Sequence, residues 1–138
     1  MIRREEIVRE AREWIGTPYR HQGRVKGVGC DCAGLIIGIA HSLGISTFDY
    51  RHYSRQPDAS VLLSLCDEYL DRVDSLDAAL PGDVLIFLIR RQPIHMGILT
   101  EKGTVIHVWP SVGKVVEHIL DEKWRRRIYR VYRYKEVI

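Results

Sequence analysis

Three cysteines and six histidines hold most of the reactive chemistry in this 138-residue chain. Cys30-Asp31-Cys32-Ala33-Gly34 follows a glycine-punctuated stretch, Thr17 to Gly29, and opens an apolar run that stops at Gly44. A cysteine attacks as its thiolate, and a helix N-terminus and a neighbouring histidine are the two usual ways of producing one. Cys32 is placed for the first. Free first-turn amides would face its sulfur and an oxyanion formed on attack, and Ala33 and Gly34 leave room for a substrate carbonyl. Asp31 precedes it, where a carboxylate caps the same turn. Cys30 and Cys32 are closer together than the cysteine pairs of zinc sites, so no metal or other cofactor is expected. Cys66 reads as a core thiol.

The histidine must come from elsewhere. His95 lies in Ile94-His95-Met96-Gly97-Ile98-Leu99 and His107 in Val105-Ile106-His107-Val108-Trp109, both strand-like. Neighbouring antiparallel strands bring such residues side by side, so that His95 serves as base while His107 fixes its tautomer. His21 falls close enough to Tyr19 to reach the edge of a cleft. His41, His52 and His118 read as surface or packing residues.

The elements that position these groups follow from periodicity. Ile7, Val8, Ala11, Trp14 and Ile15 predict an amphipathic helix over 3–15, stopped by Gly16 and Pro18. The run from Cys32 to Leu43 is apolar nearly all round and predicts a buried helix. Asp58 caps a third helix expected over 59–70. After the Pro81-Gly82 turn come strand-like runs at 83–90, 94–100, 104–109, 114–119 and 128–134. Helices first and strands after predict an α+β domain spanning residues 1–138, with helices on one side of a five- to six-stranded antiparallel meander. Charges interrupt the apolar pattern of 128–134, as on the exposed face of an edge strand.

In order, Gly16-Thr17-Pro18-Tyr19, Cys30-Asp31-Cys32-Ala33-Gly34-Leu35, Leu80-Pro81-Gly82-Asp83-Val84, His95-Met96-Gly97-Ile98 and Ile106-His107 resemble the NlpC/P60 family of cell-wall peptidases. The resemblance implies a papain-like α+β fold and cleavage of peptidoglycan stem peptides, usually between γ-D-glutamate and a diamino acid. It casts Cys32 as nucleophile, His95 as base and then acid, and His107 as third member of the triad. Tyr19 and Asp31 are expected at the substrate. The helix at 59–70 is an addition to the family pattern.

Apolar residues make up 46% and charged residues 28%, the balance of a globular protein. A net charge of +3 is too small to argue for a nucleic-acid partner. No stretch reaches the roughly 18 apolar residues of a membrane helix. The charged start, Met1 to Glu6, does not read as a secretory signal, so synthesis in the cytoplasm is expected. A catalytic domain of this kind resembles the short family members encoded with phage tail genes, which implies tail proteins as partners and delivery to the wall in a virion. Two other readings stand beside the hydrolase: a structural component of a tail on the same fold, and an amidase or acyltransferase using the same Cys-His chemistry.

Overall fold

The computed structural model describes residues 1–138. Helix α1 (Arg4–Glu13) turns Ile7, Val8 and Ala11 inward, with Trp14 as its C-cap. Strands β1 (Arg24–Val25) and β2 (Gly29–Cys30) make a short hairpin within the stretch expected to be loop. Helix α2 (Cys32–Ser42) buries Leu35, Ile36, Ile39 and Ala40. Helix α3 (Ala59–Tyr69) begins at Asp58, whose carboxylate accepts from Ser60 N at 2.8 Å, and runs straight into β3 (Leu70–Val73). The remaining strands are β4 (Val84–Ile89), β5 (Gln92–Leu99), β6 (Thr104–His107), β7 (Val116–Ile119) and β8 (Ile128–Tyr134). A short helix, α4 (Glu122–Arg126), separates the last two.

The sheet has the order β3-β8-β4-β5-β6-β7 and is antiparallel throughout. Strands β4 to β7 form the expected meander. Strand β8 does not sit at an edge: it returns across the sheet and pairs with β4 on one side and β3 on the other. Its charges mark ion pairs rather than an open edge. Arg133 grips the buried carboxylate of Asp83 at 2.9 and 2.8 Å, and Arg4 of α1 reaches the same group at 3.2 Å.

Both faces of the sheet are covered at its centre, which explains why Val84–Phe87 is continuously apolar rather than alternating. Val84, Ile86, Met96, Ile98, Ile106 and Tyr132 pack with Trp14, Leu35 and Ile39 beneath α1 and α2. On the other face Leu85, Phe87, Val105, Leu120 and Val131 form a smaller cluster, with Trp124 of α4 against it. Helix α4 was not expected from the sequence, because its five residues carry too few apolar positions to register as a packed element.

Candidate active site

Cys32 is the first residue of α2, and the donors of that first turn are shared out. Gly34 N donates to Asp31 Oδ1 at 2.8 Å and Leu35 N to Asp31 O at 2.9 Å. The Cys32 and Ala33 amides are left to the Cys32 sulfur, which also receives the backbone N–H of Met96 from β5. The start of α2 can reach β5 because it packs tightly on the loop before β1. A Cβ added at Gly34 would lie 1.8 Å from Gly23 O, so only glycine fits there.

Asp31 is buried and its carboxylate is fully engaged. Oδ1 accepts from Gly34 N and, at 3.2 Å, from Arg24 Nη1; Oδ2 accepts from Gln22 N and from the Tyr53 hydroxyl, each at 2.7 Å. The expected cap is present. The same oxygens bind together the α2 start, the loop before it and the segment after it, so Asp31 holds the cleft's shape. Arg24 reinforces that link, reaching Asp49 Oδ1 at 2.9 Å and Tyr50 O at 2.8 Å.

His95 stands on β5 opposite Phe87 of β4, and its ring Nε2 lies 2.8 Å from Nδ1 of His107. The spacing of His95 and Gly97 makes this possible. A Cβ at Gly97 would come within 3.1 Å of the His107 Cβ and 2.7 Å of Val105 Cγ2, so the glycine lets β6 lie close and His107 lean towards His95. Aromatic rings wall the pair. Trp124 meets His107 edge-on at 4.8 Å between centroids, and Trp109 packs 4.6 Å from it.

Burial dominates the electrostatics. It lowers His95 to about 4, with Arg127 adding to the effect, and pushes His107 further down. It raises the Cys32 thiol to about 12, with the Asp31 charge adding to the rise and the three backbone amides opposing it. Burial therefore favours the thiol and the neutral imidazole. Desolvation thus opposes the helix N-terminus in setting the charge of Cys32.

Cys32 and His95 line one cleft of about 1000 Å³, together with Tyr19, His21, Asp31, Trp109 and Trp124. Tyr19 is held there by its amide, which donates to Gly113 O at 2.8 Å, and burial, with proximity to Asp31 and Cys32 adding to it, raises its phenol. Cys30 is buried in the main core; Cys66, also in that core, touches the cleft wall. His118, read from the sequence as a surface or packing residue, bonds His107: the two Nε2 atoms are 2.7 Å apart. The signal was a histidine in the strand following that of His107, with side chains on the same face.

Comparison with known proteins places the chain by family and by fold. The NlpC/P60 family model matches residues 16–133. No curated protein matches the chain. Among solved structures, NlpC1 from Trichomonas vaginalis is 20% identical with a TM-score of 0.71, covering 95% of this chain and 44% of its own. The NlpC/p60 domain of the peptidoglycan hydrolase SagA is 21% identical with a TM-score of 0.64, covering 94% and 97%. The peptidoglycan hydrolase RipB from Mycobacterium tuberculosis is 23% identical with a TM-score of 0.63, covering 94% and 63%. The chain spans less than half the length of several of the structures it resembles. With the family model matched over most of its length and its fold shared with these structures, the chain belongs to the NlpC/P60 family.

Proposed function

We propose that the protein is a cysteine peptidase that hydrolyses peptidoglycan stem peptides through Cys32, His95 and His107, at the bond between γ-D-glutamate and the diamino acid. The observation that carries this reading is the placement of Cys32 at the start of α2, against the Met96 amide, in the same cleft as a His95 ring backed by His107. The likeness to peptidoglycan hydrolases supports the substrate class.

Burial favours the neutral pair, and the steps start from it. As the Cys32 sulfur bonds to the substrate carbonyl carbon, its proton passes to the free nitrogen of His95, Nδ1, and negative charge moves to the carbonyl oxygen. The Cys32 and Ala33 amides are the nearest donors for that oxygen. Collapse breaks the C–N bond, and His95 returns the proton to the departing amine. His95 then takes a proton from water as it attacks the thioester, which releases the acid and restores the thiol. Tyr19 lies at the cleft wall to contact the substrate, and no cofactor enters.

The test is digestion of purified peptidoglycan by wild type and Cys32→Ala, with products identified by mass. Fragments ending at γ-D-glutamate, absent with the variant, are the expected result. Wild type that releases nothing from any wall type would favour a structural role for the fold.

One feature favours a second reading. Of the 38 residues lining the cleft 23 are hydrophobic, among them Ile37, Phe48, Leu62 and Leu65, a surface suited to an apolar acyl chain. On that reading the same thioester chemistry makes the protein an amidase or acyltransferase. Turnover of long-chain N-acyl amides in preference to wall fragments would establish it.

A further inference from the structure

Behind His95 two more imidazoles and one carbonyl stand in line. Nε2 of His95 lies 2.8 Å from Nδ1 of His107, Nε2 of His107 lies 2.7 Å from Nε2 of His118, and Nδ1 of His118 lies 2.9 Å from Ile119 O. A carbonyl oxygen only accepts, so Nδ1 of His118 carries a proton. A neutral imidazole has one N–H, so Nε2 of His118 is an acceptor and Nε2 of His107 must donate to it. Nδ1 of His107 is then an acceptor, and Nε2 of His95 donates. One nitrogen is left with a lone pair and no partner in the line: Nδ1 of His95.

We infer that His118 is a positioning residue, which transmits the polarity of the Ile119 carbonyl through His107 and fixes His95 in the tautomer whose Nδ1 can accept the Cys32 proton. The inference rests on the proposed chemistry for its catalytic consequence. His118 lies outside the cleft, on β7, so it acts only through the line. Opposite Val105 in the register, it reaches diagonally to His107. Trp124 packs against both rings, at 4.8 Å from His107 and 5.6 Å from His118, and covers the His107 end of the line, while the contact of His118 with the Ile119 carbonyl lies at the surface. A hydrogen bond to His107 alone would orient its ring. The carbonyl at the far end is what gives the line a direction.

The experiment is a long-range ¹H–¹⁵N correlation spectrum of protein labelled with ¹⁵N-histidine, which shows directly which nitrogen of each ring is protonated. Wild type is expected to show protons on Nδ1 of His118, Nε2 of His107 and Nε2 of His95. His118→Gln, whose amide oxygen replaces the acceptor, should preserve the His95 tautomer and keep kcat within about threefold. His118→Leu should populate the Nδ1–H form of His95 and lower kcat at least tenfold with KM unchanged. A wild-type His95 protonated on Nδ1, or a His95 signal and kcat unmoved in His118→Leu, would overturn the inference. If the leucine variant does not fold, the wild-type spectrum and the glutamine variant decide. The spectrum requires no substrate. Protein with the expected tautomers but no wall-cutting activity would defeat the proposed function and leave the histidine line standing.

Discussion

Withdrawal of His95 from water shapes how the molecule answers to acid. The unfolded chain takes up this proton near pH 6.5, whereas the native state resists it until about 4. Between those values the unfolded state binds more protons, so the stability that the neutral ring confers is complete above about 6.5 and lost as pH falls towards 4. The interval corresponds to about 3 kcal/mol. Urea unfolding followed from pH 7 to pH 4 should show this loss, and His95→Gln should flatten the slope. For catalysis the same shift means that His95 remains a base in mild acid, so the acid limb of kcat/KM should lie well below the ordinary imidazole range; a limb near 6.5 would contradict it. At this scale the neighbourhood of Cys32, His95 and His107 was legible in the sequence, because each sits in a short local motif; their catalytic roles belong to the proposal. His118 was not legible, since its role depends on a diagonal contact between strands. Nor was the raised thiol, which burial chiefly decides, with the Asp31 charge adding to it.

The pairing of β5 with β6 turns on one missing side chain. Gly97→Ala would set a methyl group against Val105 Cγ2 and the His107 Cβ, forcing β6 outward and lengthening the His95–His107 bond. A loss of about 1–3 kcal/mol in stability is expected from such overpacking, with kcat falling more than KM rises; unfolding curves and steady-state kinetics on one preparation would check both. Helices α1, α2 and α3 were legible because apolar periodicity and capping residues coincide. The β4–β5 hairpin was legible as two strands but not as a tight turn. Arg90 and Arg91, at φ of 52° and 67°, occupy backbone positions usually marked by Asn-Gly, so the usual signature is absent and β5 starts earlier, at Gln92.

Across the whole molecule Asp83 is the tie between layers. Its carboxylate, wholly buried, receives Arg4 from α1, Arg133 from β8 and Leu80 N from its own turn. Asp83→Ala removes the anion and leaves two guanidinium groups unpaired, which should cost about 3 kcal/mol; chemical denaturation measures it directly. The sequence showed Pro81-Gly82 as a turn, and the five strand-like runs fall into an antiparallel sheet as the short spacings suggest, but the sixth strand, β3, and the return of β8 were not legible. Alternation tells which faces of a strand are buried, and it does not name the partner across a long stretch of chain. That return also imposes a sequence in time. Ile89 pairs with Gln92 almost as soon as a turn can close, whereas Val84 must wait for Tyr132, across most of the second half of the chain. Closing the longer loop costs more entropy before any contact repays it. In refolding followed by pulsed hydrogen exchange, the β4–β5 amides should gain protection first and those of β3 and β8 last, so that the meander is the template on which the rest of the sheet is completed.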